Sequence, residues 1–193
     1  MSTIQVPKVP DLVYISFMSE VTPSSAEGLL EACSNLSNQG AKTIYLLLGT
    51  PGGSVTHGIH VYSILRALPC KVVTHNVGAV DSIGNVIFLA GEERYANPGS
   101  TFMFHGVART VRDQGLNEKQ LTEGLESVRS DQRKIAHIVA SRTKFPDPAE
   151  IEQLFFQAAF KEAEFAKDRG IIHEIREAKI AAGAPIFQLV FKR

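Results

Sequence analysis

In the first half of the chain, continuous apolar runs alternate with segments whose apolar positions recur every three or four residues. The run LVYISFMSEV, from Leu12 to Val21, predicts a first strand. SSAEGLLEACSNLSNQG then predicts an amphipathic helix, with Ser24 or Ser25 as its N-cap and Gly40 at its end. KTIYLLLGT is apolar without alternation, as in a strand covered on both faces. GSVTHGIHVYSILRALP predicts a second helix, stopped before Pro69. CKVVTHNVG predicts the next strand, broken at Gly78, and SIGNVIFLAG a short apolar helix ending at Gly91. A turn at Asn97-Pro98-Gly99 leads into a strand from Thr101 to Phe104. The order β-α-β-α-β-α-β predicts an α/β fold with a parallel sheet and right-handed crossovers.

The second half has a different pattern. Leu121, Leu125, Val128, Ile135 and Val139 line one face of LNEKQLTEGLESVRSDQRKIAHIVASRT, which predicts one long amphipathic helix. KFPDP breaks it. AEIEQLFFQ and KEAEFAKDRG predict two short helices, the second ending at Gly170, and IIHEI a terminal strand-like piece. PIFQLVFKR is either an edge strand or a docking tail. With no repeat and no linker, 193 residues of which 44% are hydrophobic predict a single domain, 1–193, with one sizeable core.

Charge and cysteine content remove several function classes. The 20 basic and 20 acidic residues balance, so no bulk charge draws the chain to nucleic acid or an anionic membrane. No apolar run reaches the roughly 20 residues that span a bilayer, and MSTIQVPKVPD has no signal-peptide core. A cytoplasmic location is expected. Cys33 and Cys70 fit no zinc spacing and are expected as buried small hydrophobes. His57 and His60 lie at a helical spacing that suits a metal pair, but no third ligand accompanies them, so neither metal nor cofactor is expected.

Three stretches carry candidate chemistry. In LLLGTPGGSV, a strand runs through paired glycines into a helix. This is an ordinary connection or a turn that points N–H groups at an oxyanion. It lacks the Gly-Lys-Ser/Thr ending of a phosphate-binding loop. In VGAVDSIGNVIFLAG, Ser82 falls where a strand turns into a helix. It is a helix cap or a nucleophile, and in the second case the N–H of Ile83 is an oxyanion donor. In STFMFHG, His105 ends a strand, where α/β sheets place their ligands. It is a structural histidine or a base.

Taken in order, the three stretches resemble those of the Clp protease proteolytic subunits. TPGGSV is similar to their S-P-G-G-x-x motif, VDSIGN to their A-A-S-M-G-A nucleophile turn, and STFMFHG to their S-x-x-M-I-H-Q strand. The resemblance runs from about Leu12 to Ile175. It implies a crotonase-like ββα superhelix with a protruding handle helix after the histidine strand (head about 12–110 and 145–193, handle about 111–144). It also implies a serine endopeptidase acting on peptides or unfolded proteins inside paired heptameric rings. Ser82 is then the nucleophile, His105 the base, and the N–H groups of Gly53 and Ile83 the oxyanion hole.

The sequence departs from that pattern at the third member of the triad. The family aspartate falls on Ala158, or on Gln157 after a one-residue slip. Either Gln157 accepts from His105, or a carboxylate among Asp81, Asp113, Asp131, Glu150 and Glu152 reaches in, or a weaker serine–histidine pair works alone. Asp81, as the neighbour of Ser82, is expected to point away from the serine. Loss of the aspartate costs about 10⁴ in a triad protease. The short N-terminal segment argues against docking of a Clp-type ATPase. The stretch GVARTVRDQGLNEKQ is a few residues longer than the family's and more charged, so ring stacking is expected to differ. Three alternatives stay open: a catalytically impaired subunit with a structural or partner role, an acyl-CoA enzyme of the crotonase superfamily, and a serine–lysine peptidase using Lys161.

Overall fold

The computed structural model describes residues 9–110, 115–145 and 147–191. The N-terminal segment 1–8 and residues 111–114, which include Asp113, lie outside them, as does part of the stretch read as unusually long.

Strand β1 (Leu12–Phe17), helix α1 (Pro23–Asn38), strand β2 (Thr43–Thr50), helix α2 (Val55–Ala67) and strand β3 (Lys71–Asp81) follow in turn. Helix α3 (Gly84–Phe88) and strands β4 (Glu93–Ala96) and β5 (Thr101–Phe104) come next. The second half comprises α4 (Glu118–Arg142), α5 (Pro148–Gln157), β6 (Ala159–Glu162), α6 (Ala163–Asp168), β7 (Glu174–Ile175) and β8 (Ile186–Leu189). Among the described residues the strands form one eight-stranded sheet, in which β6, β5, β3, β2, β1 and β8 lie side by side and β4 joins β3 to β7. Every pairing is parallel except β5 with β6.

The apolar run of β2 is buried because β2 is central, with β1 on one side and β3 on the other. Its Ile44, Leu46 and Leu48 pack with Val13, Ile15 and Phe17 of β1 and with Leu29 and Cys33 of α1. Cys33 and Cys70 are both buried free thiols, and burial pushes Cys33 up to about 12.

Several boundaries differ from the expectation for local reasons. The cap of α1 is Thr22, not Ser24 or Ser25. Its hydroxyl accepts from the Ser25 N–H at 3.1 Å, while Ser25 Oγ accepts in return from the Thr22 N–H at 2.9 Å. Pro23 at the first helical position presets this turn. Strand β1 stops at Phe17, and Val21 instead forms an isolated bridge with Gly53.

Gly78 does not end β3. Between the Leu48–Asn76 and Thr50–Val80 pairs the register slips, so β3 bulges and continues to Asp81. Asn76 holds the bulge, its amide accepting from the Gly78 N–H at 3.0 Å and donating to the Thr101 carbonyl at 2.8 Å. The bulge lets β3 change partners, from β4 at Val73–Asn76 to β5 at Ala79–Asp81.

Strands β4 and β6 went unread. Both are four residues long and take their pairing from the rest of the sheet. Helix α6 is correspondingly shorter than expected. The C-terminal stretch is an edge strand, β8, laid parallel on β1, with Phe191 against the Phe17 ring at 6.0 Å between centroids.

Helix α4 starts at Asn117, whose side chain accepts from the Gln120 N–H in a capping box. Its C-terminal half buries Ile135, Ala136 and Val139. Its N-terminal half leaves Leu121 and Leu125 exposed, at 57% and 49%. The buried Arg94 of β4 fastens the anchored end by donating to the carbonyls of Gly91, Arg142, Gly170 and Ile171. Burial, with Arg142 nearby, lowers its guanidinium to about 10. No helix among the described residues is long and apolar enough to cross a membrane.

Candidate active site

Ser82 is not a helix cap. Its backbone is left-handed, φ 56°, and the first turn of α3 is entered from Ile83. A non-glycine residue in that region costs on the order of 1–3 kcal/mol and is held only by its surroundings. The restraints are visible. The Ser82 N–H donates to the Met103 carbonyl at 2.8 Å. Its carbonyl accepts from the backbone N–H of Asn85 at 3.1 Å and from the Asn85 side-chain amide at 3.0 Å. That amide also donates to Met103 at 2.7 Å and so ties the serine turn to β5. Asn85 is buried, and the sequence reading passed over it. Its only local signal was a polar residue in an otherwise apolar helix.

Gly52 and Gly53 form the opposite wall. Both have positive φ, 88° and 142°. A β-carbon on Gly52 would stand 2.6 Å from Ser82 Cβ, and one on Gly53 would stand 2.3 Å from the Val21 carbonyl oxygen. Only glycine therefore lets this turn approach the serine. The turn is braced from outside, since the Val21 N–H donates to Gly52 and Val21 accepts from the Ser54 N–H, each at 2.7 Å. Among the described residues the N–H groups of Gly53 and Ile83 have no acceptor.

Gly53, Ser82, Ile83 and His105 line one cavity of about 220 Å³, closed by Val55, Phe104, Ile135 and Phe155. The structure thus brings together four of the five residues singled out in the sequence. His105 Nδ1 lies 2.7 Å from the Gly106 carbonyl. A carbonyl only accepts, so Nδ1 carries the proton and Nε2 is left as the acceptor. No hydrogen bond joins Ser82 Oγ to His105.

Gln157 is not brought in. It is exposed at the end of α5 and makes no hydrogen bond to His105. The next residue, Ala158, turns the chain with φ 50° into β6. Of the other carboxylates, Asp131 pairs with Lys134 at 2.9 Å and Glu150 with Arg169. Glu152 lines a separate, larger groove with Arg129 and Arg133. Lys161 sits over the Phe165 ring, 4.9 Å from its centroid. Asp81 is half-buried. Burial pushes its carboxyl above the ordinary aspartate range, against opposing pulls from a Met103 backbone hydrogen bond and the His105 charge. His57, of the candidate metal pair, has its Nδ1 2.7 Å from Ser54 Oγ.

The fold that carries these residues is shared with a solved structure. A single-residue mutant of ClpP1 from Listeria monocytogenes superposes with a TM-score of 0.75 over 86% of this chain and 92% of that one, at 23% identity. The fold is the crotonase-like α/β superhelix, with α4 as its handle helix. The profile of the family described as Clp protease matches residues 8–179, and the chain belongs to that family.

Two curated relatives are the ATP-dependent Clp protease proteolytic subunit 2 of Corynebacterium efficiens and subunit 1 of Corynebacterium jeikeium. They are 30% and 31% identical over 108 residues, which is 53% of this chain and 51% and 54% of theirs. The chain therefore spans about half the length of these relatives in alignment.

Proposed function

We propose that the chain is a serine peptidase subunit that cleaves peptides or unfolded protein segments. The observation that carries this reading is the shared cavity. In it a strained Ser82 faces His105 and two backbone N–H groups without acceptors. In the proposed reaction, Ser82 Oγ attacks the peptide carbonyl carbon while its proton passes to His105 Nε2. The carbonyl oxygen becomes an oxyanion between the Gly53 and Ile83 N–H groups. Collapse breaks the C–N bond, and His105 hands the proton to the departing amine. Water then cleaves the acyl-serine by the same route in reverse.

We read the chain as one subunit of a homo-oligomer of the family's ring type, because Leu121 and Leu125 leave an apolar strip uncovered on the handle. A ring would enclose the cavity and restrict it to extended chains.

Intact-mass labelling with a fluorophosphonate serine probe tests the reading. One adduct is expected on the wild type, absent from Ser82→Ala and much slower on His105→Ala. Gln157→Ala is expected to label like the wild type, since that side chain lies away from the cavity. A folded wild type that takes no adduct would overturn the peptidase. One observation favours the second reading, a catalytically impaired subunit. His105 Nδ1 rests on a backbone carbonyl, where a triad would supply a carboxylate.

A further inference from the structure

Asp81 is the residue whose chemistry the proposed mechanism has not used. It ends β3, next to Ser82, and pairs in register with Met103 of β5. Paired residues of adjacent strands share a face, and the face repeats every second residue. His105 follows Met103 by two, one residue past the end of β5, so the alternation carried on by that one residue sets Asp81 and His105 on the same side of the sheet. Asp81 Oδ1 is buried and has no hydrogen-bond partner. A buried carboxylate oxygen without a partner is costly and calls for an explanation.

Resting on the peptidase reading, we infer that Asp81 is the positioning carboxylate for His105. It replaces the aspartate absent from position 158 and approaches from the end of β3 instead of the turn before β6. Its free oxygen is the acceptor available to the Nδ1–H when the ring leaves the Gly106 carbonyl. Its negative charge stabilises the imidazolium that forms when Ser82 gives up its proton. The His105 charge pulls the Asp81 carboxyl down, against the rise that burial causes, and this agrees with the placement.

Other charged groups nearby in the fold have their own placements. On the same face of β6, Glu162 pairs with Thr101 rather than with Met103. Lys161 is engaged with Phe165, and Arg129, Arg133 and Glu152 belong to the outer groove. Among the described residues, the cavity lining holds no acidic or basic side chain besides His105.

The test is the second-order rate of fluorophosphonate labelling against pH for the full chain, comparing the wild type with Asp81→Asn, Asp81→Ala, Ala158→Asp and Asp81→Asn combined with Ala158→Asp. Loss of the carboxylate is expected to slow labelling by roughly 10- to 100-fold, part of the ~10⁴ that aspartate provides in a complete triad. The acid limb is expected to move to lower pH, because a neighbouring carboxylate favours the charged imidazole. Ala158→Asp is expected to speed labelling by a larger factor in the Asp81→Asn background than in the wild type, because both carboxylates serve the same ring. A merely structural role for Asp81 would give the same factor in both. Asp81→Ala covers the case in which the amide misfolds, since the resembling family motif carries alanine there.

Wild-type labelling that either variant leaves within twofold, with an unchanged profile, overturns the inference and spares the peptidase reading. Ala158→Asp that speeds both backgrounds by the same factor also overturns it. A wild type that does not label overturns both.

Discussion

Phe104 and Ala159 pair at the close of the β5–β6 ladder, with His105 following Phe104 in the chain and Ala158 preceding Ala159. The left-handed backbone of Ala158, φ 50°, suits aspartate and asparagine better than alanine. The position is also exposed, so a larger side chain meets no core. Ala158→Asp is therefore expected to fold at least as well as the wild type. It is expected to raise the fluorophosphonate labelling rate by about tenfold or more, a fraction of what the aspartate gives in an intact triad. A folded variant that labels at the wild-type rate would show that a carboxylate here does not reach the histidine.

The fit between Gly52 and Ser82 leaves no room for a methyl group. Gly52→Ala would place a β-carbon against the nucleophile and force an alanine into φ 88°. The expected cost is on the order of 1–3 kcal/mol in stability, with labelling lost because the glycine turn must withdraw from the serine. Thermal melting and labelling on the same preparation check both effects. An Ala variant that keeps wild-type labelling would mean that the turn does not form part of the site.

His75 predicts how stability depends on pH. It is fully buried, with the Tyr45 hydroxyl 2.7 Å from Nδ1 and the Arg176 carbonyl 3.0 Å from Nε2. That arrangement fits the neutral ring, with Tyr45 donating and Nε2–H donating in turn. Burial, its largest cause, holds His75 below the ordinary histidine range, and burial does the same for His173. As pH falls through about 6.5, the unfolded chain takes up these protons before the folded one does. Stability is therefore complete above that value and is lost as pH drops toward the folded-state values. Melting temperatures from pH 8 to pH 5 should fall, and His75→Gln should start lower but fall less steeply. An equal slope in the variant would assign the acid sensitivity elsewhere.

The residues of the site were legible because each is marked locally. Paired glycines between a strand and a helix, a serine at the next such junction, and a histidine before a glycine at a strand end can be read from neighbours in sequence. The strands β1, β2 and β5 and the helices α1, α2 and α4 were legible for the same reason, since their periodicity lies within one element. What the chain order could not supply was register. The bulge at Asn76–Gly78 carries β3 on to Asp81 and moves it from β4 to β5. That shift sets Ser82 beside Met103 and pairs Asp81 with Met103. Gln157 illustrates the same limit. Adjacent in sequence to the family's aspartate position, it ends a helix and is exposed, while Ala158 makes the turn. The sequence by itself determined which side chains and which glycine turns the chain carries. Only the tertiary structure decided which of them meet, because pairing between strands depends on contacts far apart in the chain and a shift of one residue reverses every face.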